Sequence, residues 1–343
     1  MASRLYICDR RLSIVIPSAR TFPRELVKSL QSQTEKTDEI LVIRNGSRQA
    51  LRHWAGIATD QQTASTDGDA LLTKHSASLA IAETNSTRII DLQGDYGAAA
   101  ARNRGWQEAS NDSVLFLDDD VAVDDTFLKS VRRHIEGGPG VGVTTFRMRG
   151  LNTSPWSSVV ESTISLDRGE EIRRSGGIPL QLRNVWMYGA GGAMLATRSL
   201  LKVTGGFKHH FGAGRRNGGT EDMEFLWHAS RHTSIEYCGT IFVQHDDVCT
   251  TEALCRKLRE YGRGIGHLGG AAAFVESIYY VCGYCRHIMS GIRLHQVNGH
   301  YIFFRLKTAA ARAIFETALV YLSSRITSSD ADVFCSVCRG EST

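Results

Sequence analysis

A short apolar run, Val114 to Leu117, leads directly into three consecutive aspartates, Asp118 to Asp120. An apolar run of this length indicates a strand that is buried on both faces. In open α/β sheets, ligands bind beyond the carboxyl ends of the strands, which is where these three carboxylates stand. Adjacent negative charges also cost free energy unless a cation or hydrogen-bond donors compensate them. The sequence therefore predicts an α/β sheet with a charged binding site at the end of this strand.

Other segments have the patterns of strands and helices that alternate along the chain. Apolar, β-branched runs predict strands, and apolar residues at helical spacing predict helices. The predicted strands are residues 12–16, which Pro17 would end, 38–43, 88–92, 114–117, 141–148 and 235–244; the predicted helices are residues 25–33, 97–109, 127–136, 198–203 and one opened by Thr220. A strand, a helix and a second strand in succession imply a parallel pair. The predicted fold class is therefore α/β, with a Rossmann-like, mostly parallel central sheet flanked by helices.

The chain of 343 residues is long enough for one large domain with an appendage. We expect residues 1–250 to form the α/β domain, residues 60–87 to be an exposed polar insertion in it, and residues 251–343 to form a helical extension. The extension contains 11 Lys and Arg against 7 Asp and Glu, so the whole net charge of +4 lies there. This basic excess is too small for a dedicated nucleic-acid-binding protein. A content of 42% hydrophobic residues excludes a disordered chain.

The N-terminal region does not have the pattern of a secretory signal, because the apolar run that begins at Leu12 stops at Pro17. The longest weakly polar segment, residues 264–292, is interrupted by His267, Glu276, Arg286 and His287, which argues against a membrane span. We therefore expect a cytoplasmic protein. The basic stretch 254–266 could hold it peripherally at the inner membrane face or bind a lipid-linked phosphate acceptor. A solvated helix face packed on the core is the commoner case.

Two cysteine pairs have the spacing of metal ligands, Cys282 with Cys285 and Cys335 with Cys338. Together they could hold a structural zinc ion. They stand much farther apart than the roughly 15 to 20 residues between the pairs of a compact zinc ribbon. This separation favours the alternative, which is reduced thiols without a metal.

The aspartate triplet suits a hard divalent cation. Side chains alternate in direction along an extended chain, so Asp118 and Asp120 can share one side while Asp119 points away. Mg²⁺ or Mn²⁺ binds carboxylate oxygens and can bridge to a diphosphate. The alternative is a solvated acidic turn that caps the next helix, since such triplets are common in turns.

Residues 96–105 read Tyr-Gly-Ala-Ala-Ala-Ala-Arg-Asn-Arg-Gly and precede the aspartate triplet. The arrangement resembles the family 2 glycosyltransferases of the GT-A fold, in which a Gly-x-Ala-x-Ala-Arg-Asn-x-Gly pattern leads to a strand that ends in Asp-x-Asp. The resemblance extends over residues 12–248 and includes Ser13–Pro17, Asn45–Ser47, Gly189–Ala193, Gly205–Phe207, Glu221–Asp222 and Val243–His245. Each segment alone is a weak signal, whereas six in the same order are a strong one.

The resemblance implies an inverting, metal-dependent transfer of a sugar from a nucleotide-diphosphate sugar to a hydroxyl acceptor, such as a glycan, a lipid-linked sugar or a natural product. Asp120 and His245 would hold Mn²⁺ or Mg²⁺, and Asp118 would contact the metal or the ribose. Asp222, beside Glu221, would be the general base that removes the acceptor proton. The implied nucleotide-sugar site further contains Pro17, Ser18, Arg44, Asn45, Arg102, Asp119, Gly191 and Gly192, with Arg102 facing the nucleotide.

On the residues alone, two of these roles have simpler alternatives. An acid at the start of a helix, such as Asp222, is stabilised there by the helix dipole. A histidine at the end of a strand, such as His245, is more often a surface residue than a metal ligand. Residues 212–219, with Arg215, Arg216 and Asn217, are either a loop that closes over the substrates or an ordinary surface loop.

Two positions depart from the family pattern. The family often has an aromatic residue and Asn after the first strand, where this chain has Ser18, Ala19 and Arg20, and it usually has an acid at the position of Arg44. Asp95 or Asp118 could position Arg44. The donor base is therefore open, with UDP as the expected nucleotide and dTDP or GDP as alternatives.

Two other functions stay open on the sequence. A sugar nucleotidyltransferase also uses strand-end carboxylates and a divalent ion, but residues 18–20 match its phosphate-binding loop poorly. A catalytically degenerate scaffold that binds a nucleotide sugar or a glycan is favoured by Arg44 and disfavoured by Asp120, Asp222 and His245.

Overall fold

The computed structural model describes residues 5–19, 22–46, 86–150, 167–245, 256–257 and 259–268. The chain divides into two compact units. The first contains residues 1–161, 165–209 and 221–247, and the second contains residues 162–164, 210–220 and 248–343. The predicted insertion, apart from its last two residues, and both cysteine pairs lie outside the described residues.

One sheet of nine strands forms the centre of the described part of the first unit. Its strands are β1 (Leu12–Ser18), β2 (Glu39–Arg44), β3 (Thr87–Asp91), β4 (Ser113–Leu117), β5 (Val121–Ala122), β6 (Val143–Gly150), β7 (Ile172–Arg174), β8 (Ala193–Thr197) and β9 (Ile235–His245). Their order is β3-β2-β1-β4-β8-β6-β9-β5, with β7 paired to β9. Strands β1 to β4 are parallel, whereas β8 is antiparallel to both β4 and β6. The α/β class is confirmed, with one parallel half and one mixed half.

Helices cover both faces of this sheet. They are α1 (Arg24–Gln31), α2 (Gly97–Glu108), α3 (Phe127–Glu136), α4 (Leu182–Val185), α5 (Arg198–Thr204) and α6 (Glu221–Ala229), with a 3₁₀ turn at Trp186–Tyr188. Apolar residues of α1 and α3 pack with one set of strand residues, which includes Ile14 and Leu115. Those of α2, α5 and α6 pack with the alternate set, which includes Val15 and Phe116. The two cores arise because successive strand side chains point to opposite faces.

The structure differs from the predicted elements in a few places. Pro17 does not end β1, which continues to Ser18 with Pro17 opposite Ile43 of β2. Because β1 pairs with β4 only from Leu12 to Val15, Pro17 lies beyond the part of β1 that must bond to both neighbours. Thr87, assigned to the insertion, is the first residue of β3. The sequence patterns do not predict β5, β7 or β8.

Helix α2 lies very close to the sheet at Gly105. A Cβ atom there would overlap Cγ1 of Val15, so only glycine fits. Asn103, in the same helix, donates to the carbonyl of Phe207 at 2.7 Å and accepts the Phe207 amide at 2.9 Å. The Arg-Asn-x-Gly pattern thus anchors α2 to β1 and to the turn at residues 205–207. This anchoring fixes the backbone that bears Arg102.

In the second unit, residues 210–220 form a closed loop, and residues 256–257 and 259–268 are helical and are called α7. The amide of Gly212 donates to the carbonyl of Gly218 at 2.7 Å, which closes the loop. Gly218 has φ +85°, and a Cβ atom on it would lie 2.9 Å from the amide nitrogen of Gly264 on α7. No helix among the described residues is long and apolar enough to cross a membrane.

Candidate active site

The end of β4 and the start of β8 meet at one edge of the sheet. Because β8 is antiparallel to β4, Leu117 pairs with Ala193, and the amide of Asp118 donates to the carbonyl of Gly192 at 3.0 Å. A Cβ atom on Gly192 would lie 2.9 Å from Oδ2 of Asp118. The strand-end acids and the predicted glycine loop are therefore direct neighbours, and the loop has no room for a side chain.

Arg102 connects two acids of this region. Its Nη2 atom lies 2.6 Å from Oδ1 of Asp118, and its Nη1 atom lies 2.8 Å from Oε1 of Glu221. Its side chain is only 3% exposed. Burial disfavours the charged guanidinium, but the charges of Asp118 and Glu221 outweigh this effect and raise the pKa of Arg102 above its ordinary value. Arg102 therefore stays charged and ties the end of β4 to the start of α6.

Glu221 and Asp222, the first two residues of α6, have different partners. Burial raises the pKa of Glu221, the charge of Arg102 opposes this shift, and the charge of Asp222 adds to it. Asp222 accepts backbone hydrogen bonds instead, from Gly191 to Oδ2 and from Met223 to Oδ1, both at 2.8 Å. Glu221 is thus the counter-ion of Arg102, whereas Asp222 is oriented by amides and keeps lone pairs for a further donor.

The glycine loop is shaped around these acids. A Cβ atom on Gly191 would lie 2.9 Å from Cβ of Asp222 and 3.3 Å from Nη2 of Arg102. Gly189 has φ +103°, in the left-handed region that favours glycine. The predicted site residues Arg102, Gly191, Gly192, Glu221 and Asp222 therefore belong to one packed arrangement.

The three aspartates after β4 contact three different partners. Asp118 binds Arg102, Oδ2 of Asp119 accepts the amide of Ala19 at 3.2 Å, and Oδ1 of Asp120 lies 3.5 Å from Nε2 of His245. Burial and then the charges of Asp120 and Asp118 raise the pKa of Asp119 to about 6. His245 is the last residue of β9 and is buried. The side chains of the triplet therefore contact three different parts of the fold, which are α2, the residue after β1 and the end of β9.

The expected metal shell of Asp118, Asp120 and His245 is not formed as a set of three. No group of three or more His, Cys, Asp or Glu side chains in the described part of the chain is arranged to hold a metal ion. Asp120 and His245 are close enough to bind one ion together, whereas an oxygen of Asp118 is already bound by Arg102. Among the described residues, Asp120 and His245 are therefore the pair best placed to share a metal ion.

Arg44 and Asn45 follow β2 at the same edge of the sheet. Arg44 forms an ion pair with Asp91, which is not one of the two partners, Asp95 and Asp118, that the sequence suggests for it. Parallel pairing places Arg44 and Asp91, the last residues of β2 and β3, side by side. The sequence analysis did not name Asp91 as a site residue. Its position at the end of the strand next to β2 could have indicated that it pairs with Arg44. Arg44 is 4% exposed.

Asn45 connects the ends of β1 and β2 to the start of α2. Its amide donates to the carbonyl of Ser18 at 2.8 Å, and its Oδ1 accepts the amide of Tyr96 at 2.7 Å. The side chain of Tyr96 is exposed and its ring lies against Gly94. Ser18 and Asn45, both predicted nucleotide contacts, are therefore neighbours, and Asn45 also holds the backbone of Tyr96.

Comparisons with known proteins agree with this architecture. Residues 64–204 match the model of glycosyl transferase family 2. No curated protein sequence matches the chain. The mannosyltransferase PcManGT from Pyrobaculum calidifontis, in complex with GDP-Man and Mn²⁺, is similar with a TM-score of 0.51 and 14% identity over 90% of this chain and 87% of that chain.

TarS of S. aureus is also similar in structure. The 1-349 segment with UDP-GlcNAc has a TM-score of 0.46 and 15% identity over 92% of each chain. The match to the longer TarS structure has a TM-score of 0.42 and 18% identity, covers 74% of this chain and spans 39% of that chain.

The fold shared with PcManGT is that of the GT-A glycosyltransferases, and the sequence match covers the glycine-rich loop, Arg102 and the aspartate triplet. Taken together, residues 64–204 are similar in sequence to glycosyl transferase family 2, and the described residues have the GT-A fold.

Proposed function

We propose that the chain transfers a sugar from a nucleotide-diphosphate sugar to a hydroxyl acceptor, with inversion at the anomeric carbon, with Mn²⁺ or Mg²⁺, and with Asp222 as the general base. The observation that supports this most directly is the link that Arg102 makes between Asp118 and Glu221, the neighbour of Asp222. A strand-end carboxylate and a candidate base are thereby held in one rigid arrangement. Holding the reacting groups in a fixed geometry contributes much of the rate acceleration when two substrates react with each other.

The donor nucleotide would lie across the carboxyl ends of β1, β2 and β4, the usual ligand position in open α/β sheets. Asn45 and Ser18 stand at this edge, and the exposed ring of Tyr96 offers a face on which a base can stack. Arg44 stands where the family usually has an acid, and it is buried against Asp91. This position therefore supplies no carboxylate to bind the nucleotide base. UDP stays the expected nucleotide, and dTDP and GDP stay the alternatives. The GDP-Man bound to PcManGT supports a nucleotide-sugar donor in this fold.

Asp120 and His245 are the residues that would hold the metal ion. When bound, the ion would neutralise the charge that develops on the leaving diphosphate. Donor phosphate oxygens would supply further ligands, which suits a site with only two protein side chains. A ring nitrogen beside a carboxylate oxygen favours Mn²⁺ over Mg²⁺, because Mg²⁺ prefers oxygen ligands throughout. Mn²⁺ is also the ion bound by PcManGT.

Asp222 would accept the proton of the acceptor hydroxyl as its oxygen attacks the anomeric carbon on the face opposite the diphosphate. The amides of Gly191 and Met223 would hold the carboxylate in position. The absence of side chains at Gly191 and Gly192 would let the sugar approach the backbone closely. Arg102 would offset the charges of Asp118 and Glu221, which reduces the repulsion among these two acids and Asp222.

The experiment is a thermal stabilisation assay of the whole chain with UDP, GDP and dTDP and with their sugars, each with Mn²⁺, with Mg²⁺ and with chelator. A ligand that binds the native state raises Tm by mass action. We expect one nucleotide class to raise Tm, and the rise to disappear with chelator. The absence of a shift for every nucleotide in Mn²⁺ would overturn the donor site.

For that nucleotide class, the anomeric configuration of the transferred sugar is then read by NMR. Inversion is expected, and retention would contradict the role given to Asp222.

A further inference from the structure

Basic side chains from two elements of the second unit stand together. Arg259, Arg263 and His267 follow one another at intervals of four residues on α7, so they share one helix face. The loop at residues 210–220 reaches this helix through Gly218, where a Cβ atom would lie 3.1 Å from Cβ of Arg263. Arg216, two residues before Gly218, is exposed.

Acidic residues are scarce in the described part of the second unit. Glu260 is the one acidic residue among the described residues of the second unit. Neither Arg216 nor Arg263 forms an ion pair with any described residue, whereas surface arginines of the first unit such as Arg88 and Arg104 do.

The close approach of the cations has an electrostatic consequence at His267. Burial lowers its pKa first, and the charges of Arg216, Arg263 and His210 lower it further. Positive groups that repel one another in this way cost free energy unless an anion compensates them.

We propose that Arg216, Arg263 and His267 form a binding site for a phosphate or diphosphate group. Guanidinium groups donate paired hydrogen bonds in a geometry that matches phosphate oxygens. Arg216 and Arg263 carry two positive charges, which suit a group with two negative charges better than a single carboxylate, and the ring of His267 can add a hydrogen bond. The phosphate belongs either to a soluble molecule or to a lipid headgroup. This site needs neither a metal ion nor the residues proposed for the donor.

The test is calorimetric titration of the whole chain with inorganic pyrophosphate, in chelator and at constant ionic strength. Chelator removes the metal-dependent binding of diphosphate that the proposed donor site would add. A parallel arm measures co-sedimentation with vesicles of phosphatidylcholine, with and without phosphatidic acid. Saturable pyrophosphate binding indicates a soluble source, and binding to phosphatidic acid vesicles alone indicates a lipid source.

In either arm, Arg216→Gln and Arg263→Gln should each weaken binding about tenfold, the effect of losing one charge-assisted contact. Both positions are exposed, so the variants should keep the Tm of the unaltered chain. Arg24→Gln is the matched control, since it removes an exposed arginine from α1 in the first unit. No saturable binding of either probe, or an equal loss in Arg24→Gln, would overturn the proposal.

Discussion

The guanidinium of Arg102 lies 2.8 Å from the carboxylate of Glu221, although 119 positions separate the two residues in the chain. Its other arm binds Asp118, so a single buried side chain joins the end of β4 to the start of α6. Because one side chain binds both acids, a change at Arg102 should alter the positions of Asp118 and Glu221 together.

Replacing Arg102 by Met should destabilise the fold, because two partly buried acids would lose their counter-ion. Breaking a buried ion pair from one side costs about 3–5 kcal/mol, which urea unfolding would measure. Arg102→Lys keeps the charge but loses the fork that binds both acids, so turnover should fall about tenfold or more while the chain stays folded. Arg104→Lys, on the exposed side of the same helix, is the control. An unchanged free energy of unfolding in Arg102→Met would show that the link between Asp118 and Glu221 does not stabilise the fold.

Replacing Asp222 by Asn should abolish transfer while donor binding persists. The Asn side chain keeps an oxygen that can accept the Gly191 amide, but it cannot take up the acceptor proton. General bases contribute about 10²- to 10⁴-fold, so turnover should fall by that amount with little change in donor affinity. Asp125→Asn, an exposed acid before α3, should leave both quantities unchanged. Turnover within a factor of two of the original would remove Asp222 from the mechanism.

Replacing Asp120 by Asn, or His245 by Gln, should weaken the stabilisation by nucleotide that depends on Mn²⁺. The two side chains lie 3.5 Å apart and would share one ion. The measurement is the Tm shift caused by the nucleotide diphosphate with Mn²⁺, compared with the same nucleotide in chelator. If both variants keep the full shift, the metal is held elsewhere or is not needed.

The stability of the fold should fall as the pH rises from about 6.5 to about 9. Burial disfavours charged His134, but hydrogen bonds and charges of Cys238 and Glu236 raise its pKa from the ordinary 6.5 to about 9. Nε2 of His134 lies 2.8 Å from buried Glu236 on β9. A raised pKa in the folded state gives stability that is complete below pH 6.5 and is lost above pH 9.

The loss is at most about 3 kcal/mol, from 1.36 kcal/mol per pKa unit. Urea unfolding at a series of pH values would measure it. His134→Gln should flatten the profile across this window, because that variant has no proton to lose there. The same slope in the variant and in the original chain would show that other groups cause it.

Several elements could be predicted from the sequence for a plain physical reason. A strand buried on both faces is apolar over most of its length, which makes β1, β2 and β4 recognisable. Strand β8 is equally buried but follows Gly191 and Gly192 and consists of residues that suit helix as well as strand. Its direction is set by pairing with β4 and β6, and a local sequence pattern carries no information about that pairing.

The partners of the charged residues were harder to predict than the residues themselves. The expectation for the aspartate triplet assumed an extended backbone, but the chain turns at Asp119 and Asp120, so the side chains diverge. The pairing of Arg44 with Asp91 follows from the register of β2 and β3. Such pairings are set by tertiary structure. The pairing of Arg102 with Glu221 shows this most clearly, because 119 positions separate the two residues in the chain.

The place of β8 in the sheet also sets an order of assembly. It lies between β4 and β6, yet it is made after both. Until residues 193–197 leave the ribosome, both strands lack the neighbour they will share, and unpaired strand edges promote aggregation. When β8 inserts, it brings Gly191 and Gly192 against Asp118 in the same event. Insertion of β8 therefore joins the parallel half of the sheet to β6 and forms one contact of the candidate site, while Glu221, Asp222 and β9 are still to be synthesised.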